Sequence, residues 1–136
     1  MLKLIVGLKG TGKTKALIEM VNQTLEVTRG SVVCIEKGTK LIYDIKYQAR
    51  LINTDQYNVK DGKTLFGFIA GICASDHDLT DLFIDSALKI CEDNIEEFEE
   101  FIHSAAELAK KHDFKCLITA SIAPEEIPDS IKKYVE

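Results

Sequence analysis

Gly7-Leu8-Lys9-Gly10-Thr11-Gly12-Lys13-Thr14 is the stretch of this chain whose residue types and spacing most clearly suggest a chemistry: a glycine, four residues, then Gly-Lys-Thr. Glycines at 7, 10 and 12 let the backbone turn its N–H groups inward around a phosphate, because side chains would obstruct both the tight turn and the close approach. Lys9 and Thr11 lie in the same loop and become phosphate-binding candidates with the glycines. A helix opening at about Lys13 would add free N–H groups and the positive end of its dipole. In that frame Lys13 would reach the β- and γ-phosphates of a nucleotide, and the Thr14 hydroxyl would hold a magnesium ion.

Such a loop needs a strand before it and a helix after it. Leu2 to Val6 is a short, mostly apolar, β-prone run, while Lys13 to Thr28 contains no Gly or Pro. Leu17, Met20, Val21, Thr24 and Leu25 recur at helical spacing, so one helix face packs on a sheet. Arg29-Gly30 reads as its terminator. Val32-Val33-Cys34-Ile35 is a continuous apolar run of the kind found in strands covered on both faces, and Glu36 follows directly. Leu82-Phe83-Ile84 ends in Asp85-Ser86, and Cys116 to Ala120 forms a last strand whose tip bears Thr119 and Ser121.

Helices are expected over Lys63 to Ala74 and after Asp93 or Asn94. In the second, Ile95, Phe98, Ile102, Ala105 and Ala109 turn inward, and Glu96, Glu97, Glu99, Glu100, Glu107 and Lys110 form a solvated face. Arg50 to Asn53 reads as a short strand, Asp61-Gly62 as a turn, and Pro128 to Tyr134 as a short terminal helix. Thr39 to Gln48 fits strand and helix periodicity equally. Tyr43, Tyr47, Phe66 and Phe68 read as core residues. His77, His103 and His112 share no metal-ligand spacing and read as structural.

Apolar strands alternating with crossover helices predict an α/β fold: a three-layer α/β/α sandwich with a mainly parallel sheet, as a single domain over residues 1–136. In such sheets ligands gather at the carboxyl ends of the strands. The glycine loop, Glu36, Asp85 and the Thr119/Ser121 tip all fall there.

With those residues in hand, Gly7 to Thr14 resembles a Walker A motif of the P-loop NTPase fold. Leu82 to Ser86 is similar to the Walker B strand of the RecA-like group, the P-loop NTPases with an additional strand and a catalytic glutamate. Val32 to Glu36 resembles that group's second strand, whose terminal glutamate polarises the attacking water. The resemblance implies a RecA-like strand arrangement and catalytic roles for Lys13, Glu36 and Asp85. It also implies magnesium held by Thr14 and Asp85, and a γ-phosphate-sensing position at Thr119. ATP with Mg2+ is the implied ligand. Recombinases of this group are larger and carry DNA-binding loops for which this chain has no room. Thymidine kinases place Glu after the Walker B Asp, where this chain has Ser86.

Composition narrows the partners. A net charge of -5, dispersed lysines and an acidic block from Glu92 to Glu100 argue against nucleic acid. No stretch approaches a membrane span, and there is no signal-peptide pattern. Four cysteines without a CxxC pair read as core residues in a reducing cytoplasm. Fast hydrolysis would call for a basic finger, with Arg29, Arg50 and Lys9 as candidates in the chain, or one supplied by a second copy or a protein partner. The expected function is ATP binding with magnesium and slow hydrolysis, used as a switch or to drive assembly. A nucleotide-binding regulatory module without catalysis and a small-molecule or nucleoside kinase are the alternatives.

Overall fold

Five strands run parallel in one sheet: β1 (Leu2–Gly7), β2 (Ser31–Glu36), β3 (Arg50–Asn53), β4 (Leu79–Ile84) and β5 (Lys115–Ser121). Their spatial order is β1-β5-β4-β2-β3 in the computed structural model, which describes residues 1–136. One strand, β5, therefore separates the glycine-loop strand from the strand ending at Asp85. Ile5 pairs with Thr119, Ile118 with Ile84, and Ile84 with Ile35. That register brings Gly7, Ser121, Asp85 and Glu36 to one rim of the sheet.

The helices are α1 (Lys13–Val27), α2 (Gly62–Ser75), α3 (Ala87–Ile90) and α4 (Ile95–His112). Side chains alternate across the sheet as a pleat requires. Val32, Cys34, Phe83 and Leu117 pack on one face with Leu17 and Val21 of α1. Val33, Ile35, Leu82, Ile84, Cys116 and Ile118 pack on the other with Leu65 and Ile69 of α2 and Phe98 and Ile102 of α4. These are the three expected layers, and each fully buried aliphatic or aromatic side chain contributes about 1.5–3 kcal/mol.

Local chemistry sets the helix ends. Asn94 Oδ1 accepts from the Glu97 amide at 3.1 Å, acids occupy the first turn of α4, and Lys110, Lys111 and His112 close the last. Asp61-Gly62, expected as a turn, instead starts α2: Asp61 and Thr64 form a reciprocal capping box. The end of α1 also differs from expectation. Thr28 caps it in extended conformation, its amide donating to Thr24 O, and Gly30 has no left-handed φ. Gly30 is small because it lies against Thr80 and Asp78 at the start of β4.

Thr39 to Gln48 is neither strand nor helix but a run of turns. Leu41 O accepts from the amides of Asp44 and Ile45, so Leu41 and Ile45 point into the α1 side of the core. The residues between them are turned outward. Tyr43 and Tyr47, expected in the core, are 95% and 90% exposed, whereas Phe66 and Phe68 do pack against it. The short terminal helix is a 3-10 helix, Asp129–Tyr134, with Pro128 at its N-cap. Beyond it the chain runs beside β1: Leu4 bridges Val135, and the Glu136 amide donates to Leu4 O at 2.9 Å, covering that sheet edge.

All four cysteines are buried free thiols. Burial pushes Cys91 and Cys116 up to about 12, and raises Cys34 and Cys73 as well. Only the thiolate reacts at an appreciable rate. With an aromatic disulfide reagent at pH 8, the folded protein is expected to release almost no chromophore, and all four thiols should titrate on addition of denaturant. No helix is long and apolar enough to cross a membrane.

Candidate functional site

The loop between β1 and α1 takes the shape its glycines permit. Gly10 and Gly12 have φ of 86° and 91°, in the left-handed region that favours glycine. A Cβ at Gly7 would come within 2.7 Å of Thr11 Oγ1, so the absence of a side chain there lets the loop close on itself. Leu8 O gathers three donors across the loop: the Thr11 amide at 3.3 Å, Thr11 Oγ1 at 2.7 Å and Lys13 Nζ at 2.9 Å. Lys13 is only 8% exposed, and its ammonium makes that one protein hydrogen bond out of a capacity of three. The remaining donors are free for an anion.

Beneath the loop Thr14 meets the carboxylate after β4. Thr14 Oγ1 lies 3.2 Å from both oxygens of Asp85, which is itself buried. Asp85 is held from the other side by Thr119 Oγ1, which donates to Oδ1 at 2.7 Å, and Ser86 Oγ lies 3.4 Å from Oδ2. The Ser86 amide donates to Thr119 Oγ1 at 2.8 Å. Thr119 is thus buried and committed to orienting Asp85, while Ser121, two residues on, borders the open cleft. A hydroxyl and a carboxylate are oxygen donors of the kind magnesium accepts.

Glu36 is buried at the end of β2. Its carboxylate accepts the Leu41 amide at 3.3 and 3.2 Å, and the Lys40 amide also favours its charged form. Burial nevertheless dominates and raises its pKa, with the nearby Asp85 charge adding to the rise. The carboxyl group therefore sits above the usual glutamate range and pins the turn that starts at Lys40.

The cleft in front of the glycine loop and Thr14 has a volume of about 560 Å³; Asp85 and Glu36 do not line it, and Glu36 borders a separate depression. Lys9, Gly10, Gly12, Lys13, Thr14 and Lys15 line it from the loop and α1, with Ser86 and Lys89 from the β4–α3 segment. Lys40 reaches it from the turn after β2. Lys15, Lys40 and Lys89 carry no motif, and nothing in the linear sequence singles them out. Topology alone assembles them. Arg29 and Arg50, weighed as basic fingers, do not line the cleft.

No protein-family model matches this chain, and none of the curated proteins matches it significantly. Among solved structures, the chain is similar to the flagellar accessory protein FlaH from Methanocaldococcus jannaschii. The two share 17% identity and a TM-score of 0.56, over 97% of this chain and 65% of that one. The chain thus spans about 65% of the length of FlaH. At this identity the likeness shows the fold, a RecA-like α/β sandwich with a parallel five-stranded sheet.

Proposed function

We propose that the chain binds a nucleoside triphosphate, ATP in the first instance, together with magnesium, hydrolyses it slowly, and uses occupancy as a switch or to drive assembly. The observation that carries this reading is the Thr14–Asp85 pair beneath a glycine loop whose lysine retains unused donors. In this reading the loop amides and Lys13 take the phosphates. Thr14 and Asp85 would hold the metal, which when bound would supply charge neutralisation at the phosphate oxygens. Thr119 positions Asp85, and Glu36 orients the attacking water.

Glu36 also supports a second reading. Its carboxylate already accepts from the backbone of the Lys40 turn, and a glutamate so engaged would make a binding module with no catalysis. Glu36→Gln separates the two. Under the first reading, phosphate release under saturating ATP and magnesium falls at least about tenfold, a loss within the range of general-base catalysis, while binding is retained. Under the second, neither quantity changes. A purified monomer turning over ATP as fast as a typical enzyme, without any partner, would refute the slow-switch reading.

The same substitution reads the electrostatics. Because burial raises the folded-state pKa of Glu36, the folded protein binds that proton more tightly than the unfolded chain does. The stability this contributes is present below the ordinary glutamate range and is lost as pH rises through the raised folded value. Glu36→Gln is therefore expected to match or exceed the wild type in Tm at neutral pH, by up to about 3 °C. The gap should close as the medium is acidified through that window. A Tm difference independent of pH would contradict the raised pKa.

A further inference from the structure

Five lysines, Lys9, Lys13, Lys15, Lys40 and Lys89, line the cleft against one lining carboxylate, Asp93. In a chain carrying a net charge of -5, that is a strong local reversal of sign. None of the five lysines is in a salt bridge. The cleft also offers a base very little. Its lining contains one hydrophobic residue, Leu88, and no aromatic ring, although pockets that hold a planar base are mostly apolar and stack it on such a face. The exposed Tyr47 belongs instead to a separate depression behind Glu36, and Tyr43 borders neither.

Lys40 and Lys89 come from segments packed on opposite faces of the sheet. Lys89 is carried by α3, directly after Asp85 and Ser86. Lys40 is carried by the turn whose Leu41 amide is tied to Glu36. Neither belongs to the glycine loop, so their charge adds to that of Lys13.

We infer that this cleft reads the phosphate chain and not the base, and that Lys40 and Lys89 supply in cis the positive charge that contacts the phosphates beyond the reach of the loop. The inference rests on the proposed triphosphate site and specifies its ligand class: a linear triphosphate, with or without a nucleoside.

The test is a calorimetric titration, with magnesium, of ATP, GTP, CTP, UTP, inorganic tripolyphosphate and AMP into the wild type, Lys40→Ala, Lys89→Ala, the double variant and Lys111→Ala. Lys111 is an exposed residue at the end of α4, away from the cleft, and serves as the control. The four nucleotides are expected to bind within about threefold of one another and tripolyphosphate within about tenfold of ATP, with AMP undetected. The double variant should weaken every triphosphate by a common factor of at least ten, with less dependence on salt, as expected when exposed charges are removed. Lys111→Ala should change nothing. Because the two lysines are exposed, the Tm without ligand should hold in each variant.

A preference of a hundredfold for ATP over CTP, or binding of ATP without tripolyphosphate, would overturn the inference and leave the nucleotide site standing. Unchanged affinities in the double variant would overturn the role of the two lysines. No binding of any triphosphate to the wild type would remove the proposed function along with the inference.

Discussion

Lys13→Ala is expected to abolish the thermal stabilisation that ATP gives this protein, with or without magnesium, while leaving the fold in place. The ammonium is nearly buried and holds only Leu8 O, so two further donors remain for an anion. Charged hydrogen bonds contribute about 1.5–3 kcal/mol each, so losing even one costs about 10- to 150-fold in affinity. Loss of the Leu8 contact itself should lower stability by only about 1 kcal/mol. Lys13→Met preserves the aliphatic stem and separates charge from packing. It should bind as poorly as Lys13→Ala while melting closer to the wild type. Wild-type affinity in either variant would show that the loop does not present this lysine to a phosphate.

Asp85→Asn is expected to uncouple nucleotide binding from magnesium. Asp85 is the only carboxylate hydrogen-bonded to Thr14, and three hydroxyls, those of Thr14, Ser86 and Thr119, surround it. An amide can still accept from Thr119 but brings no charge to a cation. If magnesium tightens ATP binding to the wild type by tenfold or more, the variant should show a factor near one. Stability without ligand should change little, because the amide keeps the bond from Thr119. Glu36 adds a second readout: Asp85 helps to raise its pKa, so the pH dependence of Tm that Glu36 produces should shift to lower pH in Asp85→Asn. An unaltered metal dependence would assign the metal to other ligands.

The sequence made the frame of this site readable because each part has a local cause. The glycine loop needs left-handed backbone at Gly10 and Gly12, and both adopt it. Apolar runs at Val32–Ile35 and Leu82–Ile84 are buried on both faces and carry Glu36 and Asp85 at their ends. What could not be read depended on contacts between distant segments. Thr119, read as a γ-phosphate-sensing position, has its hydroxyl engaged by Asp85 and the Ser86 amide, partners fixed by the register of β5 against β4. The turns from Thr39 to Gln48 follow from the Glu36–Leu41 contact and the burial of Leu41 and Ile45, which periodicity could not foresee. That same contact brings Lys40 to the cleft and leaves Tyr43 and Tyr47 in solvent. Gly30 has a close neighbour in Thr80 rather than a helix-ending φ, and no local signal separates those two uses of glycine.

The most direct measurement is a backbone amide nitrogen–proton correlation spectrum of the labelled protein, recorded as magnesium and ATP are added. The account predicts that the largest shift changes fall on the amides from Lys9 to Lys15, with smaller ones at Ser86 and Ser121, and that Lys13→Ala erases them. Amides of Gly10 to Thr14 that stay fixed at saturating nucleotide, or changes confined to another surface, would contradict the claim that this loop captures a polyphosphate.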